Sequence, residues 1–219
     1  YKQASKIMLL SFCSTILIPT LAFAKSPLSV ALAIEVIGSS NPQVSAFEEL
    51  LDGAQIDLGV DGLVHFMHYE RCEEIIITGG ILSISYKGFS QKGGAITSRK
   101  PQPCPQKINV VKTSSIAGMV MRGGSNATKI PLRPNFVITG SRQHSVDRIK
   151  LLQEGKIILD APLLSPSFPW PKEMASLISN TPYELNLLKK DGDIISEIEA
   201  LAWFDPFRDS TAMVLINIE

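Results

Sequence analysis

The chain has 219 residues, 45% of them hydrophobic, with 21 basic and 21 acidic side chains and a formal net charge of zero. No basic patch stands out along it, which argues against nucleic acid or an anionic membrane surface as partner. The size allows one large domain or two small ones.

Lys2 and Lys6 make a basic start, and Ile7 to Leu21 is apolar apart from Ser11, Ser14, Thr15 and Thr20. Ala22-Phe23-Ala24 follows, so residues 1–24 read as a cleavable secretory signal with cleavage between Ala24 and Lys25. Pro19 ends the helical core early enough to leave the cleavage site extended. A retained anchor is the alternative, but spanning a bilayer takes about 20 mostly apolar residues. Lipidation at Cys13 would need small residues before it, and Phe12 stands there. The first residue is Tyr1 rather than Met, so the natural start is expected either upstream or at an unusual codon. No later apolar run approaches the length of a transmembrane helix, and the mature chain is not expected to span a membrane.

Removing the leader takes away two lysines and no acid, leaving 19 basic against 21 acidic side chains and a net charge of −2. It also takes Cys13, so Cys72 and Cys104 remain. Two lone thiols in an oxidising compartment are expected to pair as a disulfide, worth about 3–4 kcal/mol in the chain-entropy model. A metal pair or a reactive thiol is the alternative, and no Cys-x-x-Cys spacing supports it.

VALAIEV (30–36) reads as the first mature strand, ending at Gly38. From Gly59 to Ser98, Asp61-Gly62, Glu73-Glu74, Gly79-Gly80 and Gly93-Gly94 separate runs rich in Val, Ile, Phe and Tyr, the pattern of short strands and tight turns. ILSISYKGF alternates apolar and polar residues, predicting one dry and one wet face. KINVV follows Cys104-Pro105 as a further strand, and a turn-rich stretch from Asn126 to Pro134 sets a boundary near residue 128. NFVITG, a hairpin turning at Glu154-Gly155, a second hairpin turning at Lys189–Gly192 and a final strand AMVLINIE complete the chain. Lys172 to Ile178, with Pro171 at its first position, predicts one or two helical turns. The expected class is all-β, mainly antiparallel, with one short helix. The domains are 25–128 and 129–219.

LLDGAQIDL, GLVHFMHY and EEIIITGGILSI, between about Leu28 and Val120, resemble the FecR-type β domain of extracytoplasmic bacterial proteins. The resemblance implies a compact sheet or barrel that folds back on itself, and a periplasmic location. Residues 129–219 resemble the small Ig-like β-sandwich modules that accompany such domains, on Trp170-Pro171, Tyr183-Glu184-Leu185 and Asp191-Gly192.

Chemistry-bearing residues are sparse. His65 and His68 form a His-x-x-His pair, but a strand puts residues three apart on opposite faces, and three protein ligands are usual for catalytic zinc. His144, Ser145 and Asp147 are triad types on adjacent positions, whereas triads assemble from separated segments; a solvated loop is expected. The Gly pairs at 79–80, 93–94 and 123–124 lack the Lys-Ser/Thr of a phosphate-binding loop and read as turns. Glu70, Glu73 and Glu74, and Glu197 and Glu199, are two carboxylate clusters expected on the surface. Asn126-Ala127-Thr128 is a glycosylation sequon relevant only to a eukaryotic pathway. Phe168, Trp170, Trp203, Phe204 and Phe207 predict a small core or an exposed platform, core being favoured. No metal, cofactor or catalytic residue is implied. The expectation is a non-enzymatic periplasmic protein acting by contact with an envelope protein, or by scaffolding or sensing. The alternative is an envelope carbohydrate-binding or hydrolysing protein with an aromatic-carboxylate cleft.

Overall fold

The computed structural model describes residues 28–110, 127–204 and 211–219. The signal segment with its Ala24–Lys25 junction, Cys13, Gly123, Gly124, Asn126 and Phe207 lie outside these residues. The first unit contains β1 (Ser29–Ile37), β2 (Glu49–Leu51), β3 (Gln55–Asp57), β4 (Leu63–His68), β5 (Glu73–Thr78), β6 (Ile81–Ser85), β7 (Gly88–Lys92) and β8 (Ala95–Pro101). The second contains β9 (Gln106–Val110), β10 (Thr128–Ile130), β11 (Arg133–Thr139), β12 (Arg148–Gln153), β13 (Lys156–Pro162), β14 (Ser167–Phe168), β15 (Pro182–Leu188), β16 (Ile194–Ala202) and β17 (Thr211–Ile218). The protein is all-β.

In the first unit a five-stranded antiparallel sheet, ordered β2-β1-β4-β5-β8, covers a three-stranded one, β3-β6-β7. Alternation sends Val64, Phe66, Ile75 and Ile77 inward against Ile56, Leu82 and Ile84. Both sheets end in open edges, so the barrel form is not adopted. The second unit packs β10-β16-β15-β12-β13 on β14-β11-β17-β9. Phe136, Ile138, Val214 and Ile216 meet Ile149, Leu151, Leu185 and Leu187 in its core. Most pairings are antiparallel, but β17 runs parallel to both β11 and β9, and β10 parallel to β16. Thus β9 sits in the second unit, with Ile108 opposite Ile216, although it precedes residue 128. The chain changes unit between Pro101 and Gln106.

The expected helix at Lys172 to Ile178 is absent. One turn closes as the Met174 N–H donates to the Pro171 carbonyl (3.2 Å), and the chain then runs past its neighbours. The Leu177 N–H donates to the Leu132 carbonyl at 2.8 Å and the Ile178 N–H to Tyr183 Oη at 2.9 Å. Burial of Trp170 and Leu177 in the second core holds the segment in this path, overriding the local helix signal. The helical element observed is a 3₁₀ turn at Gln143–Ser145.

Val30 to Ala33, Phe136 to Ile138 and Val214 to Ile216 are buried without alternation. These strands are covered on both faces, which calls for continuous apolar runs. Their second faces meet at the junction between units, where Leu32 packs with Val137 and Leu215 beside Phe47, Tyr69 and Met213. Tyr69 Oη donates to Glu49 Oε1 at 3.0 Å, and Lys107 Nζ lies 3.4 Å from the same oxygen and 3.8 Å from the Tyr69 ring centroid. Burial, then the Glu49 charge, pushes the Tyr69 hydroxyl far above its ordinary pKa.

The chain passes between the two sheets of the first unit at three corners that nest together. Leu58 N–H donates to the Gly80 carbonyl (2.8 Å), Gly79 N–H to Gly62 (2.7 Å) and Gly80 N–H to Gly59 (2.7 Å). A Cβ at Gly94 would fall on the Gly79 carbonyl oxygen, and one at Gly80 on the Lys92 carbonyl. These glycines exist for close backbone approach. Gly94→Ala is expected to destabilise the protein by about 2 kcal/mol or more. Gly93→Ala, at φ +76° but facing open space, should lose about 1 kcal/mol. Urea midpoints of the two variants check this, and equal losses would remove the close approach as the cause.

Candidate functional site

β4 turns His65 and His68 to different surroundings. His65 Nε2 lies 3.6 Å from Glu74 Oε2 at the surface. His68 is wholly buried. Its Nδ1 receives the Arg71 N–H at 3.3 Å, so Nε2 carries the proton and donates to the Ser85 carbonyl at 2.9 Å. Both ring nitrogens of His68 are spent on backbone, which leaves none for a metal. Among the described residues no group of three His, Cys, Asp or Glu side chains is placed to hold one.

The triad types do not converge. His144 Nε2 meets Gln143 at 3.2 Å, while Asp147 Oδ2 accepts the Lys190 N–H at 3.0 Å and ties that hairpin to β12. Gly79-Gly80 and Gly93-Gly94 form the packed corners described above. Trp170 is buried with Phe168 against the second core. Trp203 and Phe204 are exposed, and Lys129 Nζ stands 4.2 Å from the Trp203 ring centroid. The aromatic group is therefore split between core and surface. Glu197 and Glu199 lie on β16 opposite Asn186 and Glu184.

The carboxylates after β4 have separate partners: Glu74 faces His65, and Glu73 holds two arginines. Glu73 accepts from Arg71 Nε (2.9 Å) and from Arg99 Nη2 (2.9 Å) and Nε (3.1 Å). The Arg71 hydrogen bond and then that of Arg99 hold its carboxyl below the usual range. The Arg99 guanidinium also sits 5.8 Å from the Phe89 centroid, and Phe89 packs edge-on against Phe66 at 5.4 Å. Glu73 thus holds two guanidiniums together, and that of Arg99 stands over the Phe89 ring.

These arginines line an open groove of about 270 Å³ with Lys87, Phe89, Gln91 and Ile96. Its origin is the unequal width of the two sheets. The wider sheet ends on β8 and the narrower on β7. Ile96 pairs with Ile77 and Arg99 with Ile75. Cross-strand partners share a face, so both belong to the inner face of β8. A bulge at Thr97 puts these residues, three apart, on one side. Among the described residues no strand of the narrower sheet lies beyond β7 to cover them. Lys87 makes no ion pair among the described residues. A cationic patch therefore exists that was missed along the sequence, although Lys87 to Pro101 holds four cations and no acid.

Cys72 and Cys104 are joined, with their Cα atoms 4.6 Å apart. Cys72 follows Arg71 in the β4–β5 turn at φ 51°, and its carbonyl accepts the Gln102 N–H at 2.8 Å. The bridge pins the chain leaving β8 to the turn that carries Arg71.

These features define an all-β protein of two sheet pairs with a basic groove at one open edge. No family model, curated protein or solved structure matches the chain.

The His65 hydrogen bond, ahead of a 3.2 Å bond from Gln102, holds the Glu74 carboxyl below its ordinary value. A depressed folded pKa stabilises above the unfolded value of about 4.3, and that stability disappears as pH falls through the folded value. In His65→Ala the Glu74 carboxyl should titrate higher by NMR, and stability should depend less on pH in this acid range; an unmoved midpoint would contradict the assignment. Reducing the disulfide should remove about 3–4 kcal/mol of stability, read by denaturant titration with and without dithiothreitol. Unchanged midpoints would show that the bridge is not formed in solution.

Proposed function

We propose that the chain is an exported, periplasmic, non-enzymatic protein that works by contacting another protein of the cell envelope through the groove between β7 and β8. The observation that carries this is an exposed basic groove flanked by two strands that each end their sheet. Unpaired strand edges are templates for another chain, and proteins normally cover or blunt them. A preformed, clamped charge cluster beside such edges supports recognition. The disulfide supports an oxidising compartment, and the signal-like residues 1–24 and the FecR-like resemblance support the same address. The titratable side chains a catalyst would use are engaged in structural bonds: His68 with backbone, Glu73 with two arginines, Asp147 with a hairpin turn.

The test is site-resolved photo-crosslinking in intact cells, with a photoreactive residue at Ile96 in the groove or at Ile157. Both positions are exposed, and Ile157 lies on an edge strand of the second unit. One discrete, salt-sensitive protein adduct is expected from Ile96 and none from Ile157, on protein whose first residue is Lys25 by mass spectrometry. The same adducts from both positions, or none from Ile96, would refute contact through the groove. An uncleaved leader would refute export by this route.

A further inference from the structure

The groove is also a gap in a β-sandwich, and its dimensions and chemistry describe what fills it. Sheets in a sandwich pack about 10 Å apart and strands within a sheet lie about 4.8 Å apart. One more strand hydrogen-bonded to the free edge of β7 would lie opposite β8. It would cover the inner-face side chains Ile96, 47% exposed, and Arg99, also exposed. Inward side chains of such a strand recur at every second residue. One would meet Ile96 and Phe89, and the next the cluster of Arg71, Arg99 and Lys87.

The charges decide the chemistry of that strand. Glu73 uses only the Nε of Arg71, leaving its terminal nitrogens toward the groove, and Lys87 has no acidic partner among the described residues. An inward carboxylate would complete this set with charge-assisted hydrogen bonds. A second copy of this chain pairing edge to edge through β7 would bring up another strand with lysines at its ends and no acid, and so would supply no counter-charge. β7 is five residues long, which sets the length of the match.

We infer that the groove binds a short extended segment of the partner protein, in which an acidic and an apolar side chain alternate on one face, as a fourth strand added to β7. This rests on the contact function proposed above and names its occupant. β-strand addition of this kind takes affinity from main-chain bonds and specificity from alternate side chains.

The probe is a capped heptapeptide with Thr at the odd positions and Glu, Val and Glu at the even ones, so that one face alternates acidic and apolar side chains; a Gln-for-Glu version is the control, and both are titrated into the full mature protein. The Glu peptide is expected to bind with amide shifts and new exchange protection along Gly88–Lys92. The Gln peptide should bind at least about tenfold more weakly, the loss of one charge-assisted hydrogen bond. Lys87→Gln, which leaves the Glu73 clamp intact, should weaken the Glu peptide similarly, and Arg99→Gln more. Absence of binding at millimolar peptide, equal binding of both peptides, or shifts confined to another edge would overturn the inference. So would preferential binding of anionic phospholipid vesicles through the same residues. A crosslink from Ile96 that persists unchanged in Lys87→Gln and Arg99→Gln would leave the contact function standing while removing the acidic strand as its basis.

Discussion

The first unit depends on how closely its own backbone can approach itself. Three corners carry the chain between the sheets at one end, and Gly80 and Gly94 occupy places where a single methyl group would strike a carbonyl oxygen. From the Gly93-Gly94 corner β7 and β8 leave on different sheets and diverge. Because β7 ends the narrower sheet under the wider one, the inner face of β8 is left bare. The groove, the Arg99 guanidinium above Phe89 and the unpaired edge of β7 among the described residues follow from that one crowded corner. Substituting the arginines would change the groove's charge, whereas widening the corner would change whether a groove exists.

Electrostatics in this protein mostly serves to hold loops and junctions. Partly buried Tyr69 donates a hydrogen bond to Glu49, which Lys107 also approaches from the second unit. His68 joins the β4–β5 turn to the end of β6 through its two ring nitrogens. Each arrangement satisfies buried polar atoms that would otherwise destabilise the fold. The Glu73 cluster differs, because it lies at the surface and concentrates more positive charge than its single carboxylate offsets.

Local features were legible in the sequence. Glu154-Gly155 has the two positive φ values that a tight hairpin turn requires, and Lys189 N–H closes the next hairpin onto the Asp193 carbonyl at 2.9 Å. VALAIEV, NFVITG and AMVLINIE read as strands, but their cover on both faces was not read from them. Pairing between distant strands was not legible, since alternation in KINVV says nothing of β17, over a hundred residues away. The helix signal at Pro171 lost to tertiary bonds from Leu132 and Tyr183. The groove escaped notice for two reasons. Its cations are spread from Arg71 to Arg99, and the bulge at Thr97 breaks the alternation that would place Ile96 and Arg99 on opposite faces.

The bridge between Cys72 and Cys104 has a mechanical consequence. An edge strand held by one neighbour is peeled away easily when pulled from its end, one hydrogen bond at a time. Here the pull of the second unit, arriving through Gln106, meets Cys104 before it reaches Pro101. The load passes across the sulfurs into the β4–β5 turn at the centre of the sheet, and β8 is spared. A pull between the two units therefore leaves the rim of the groove in shape.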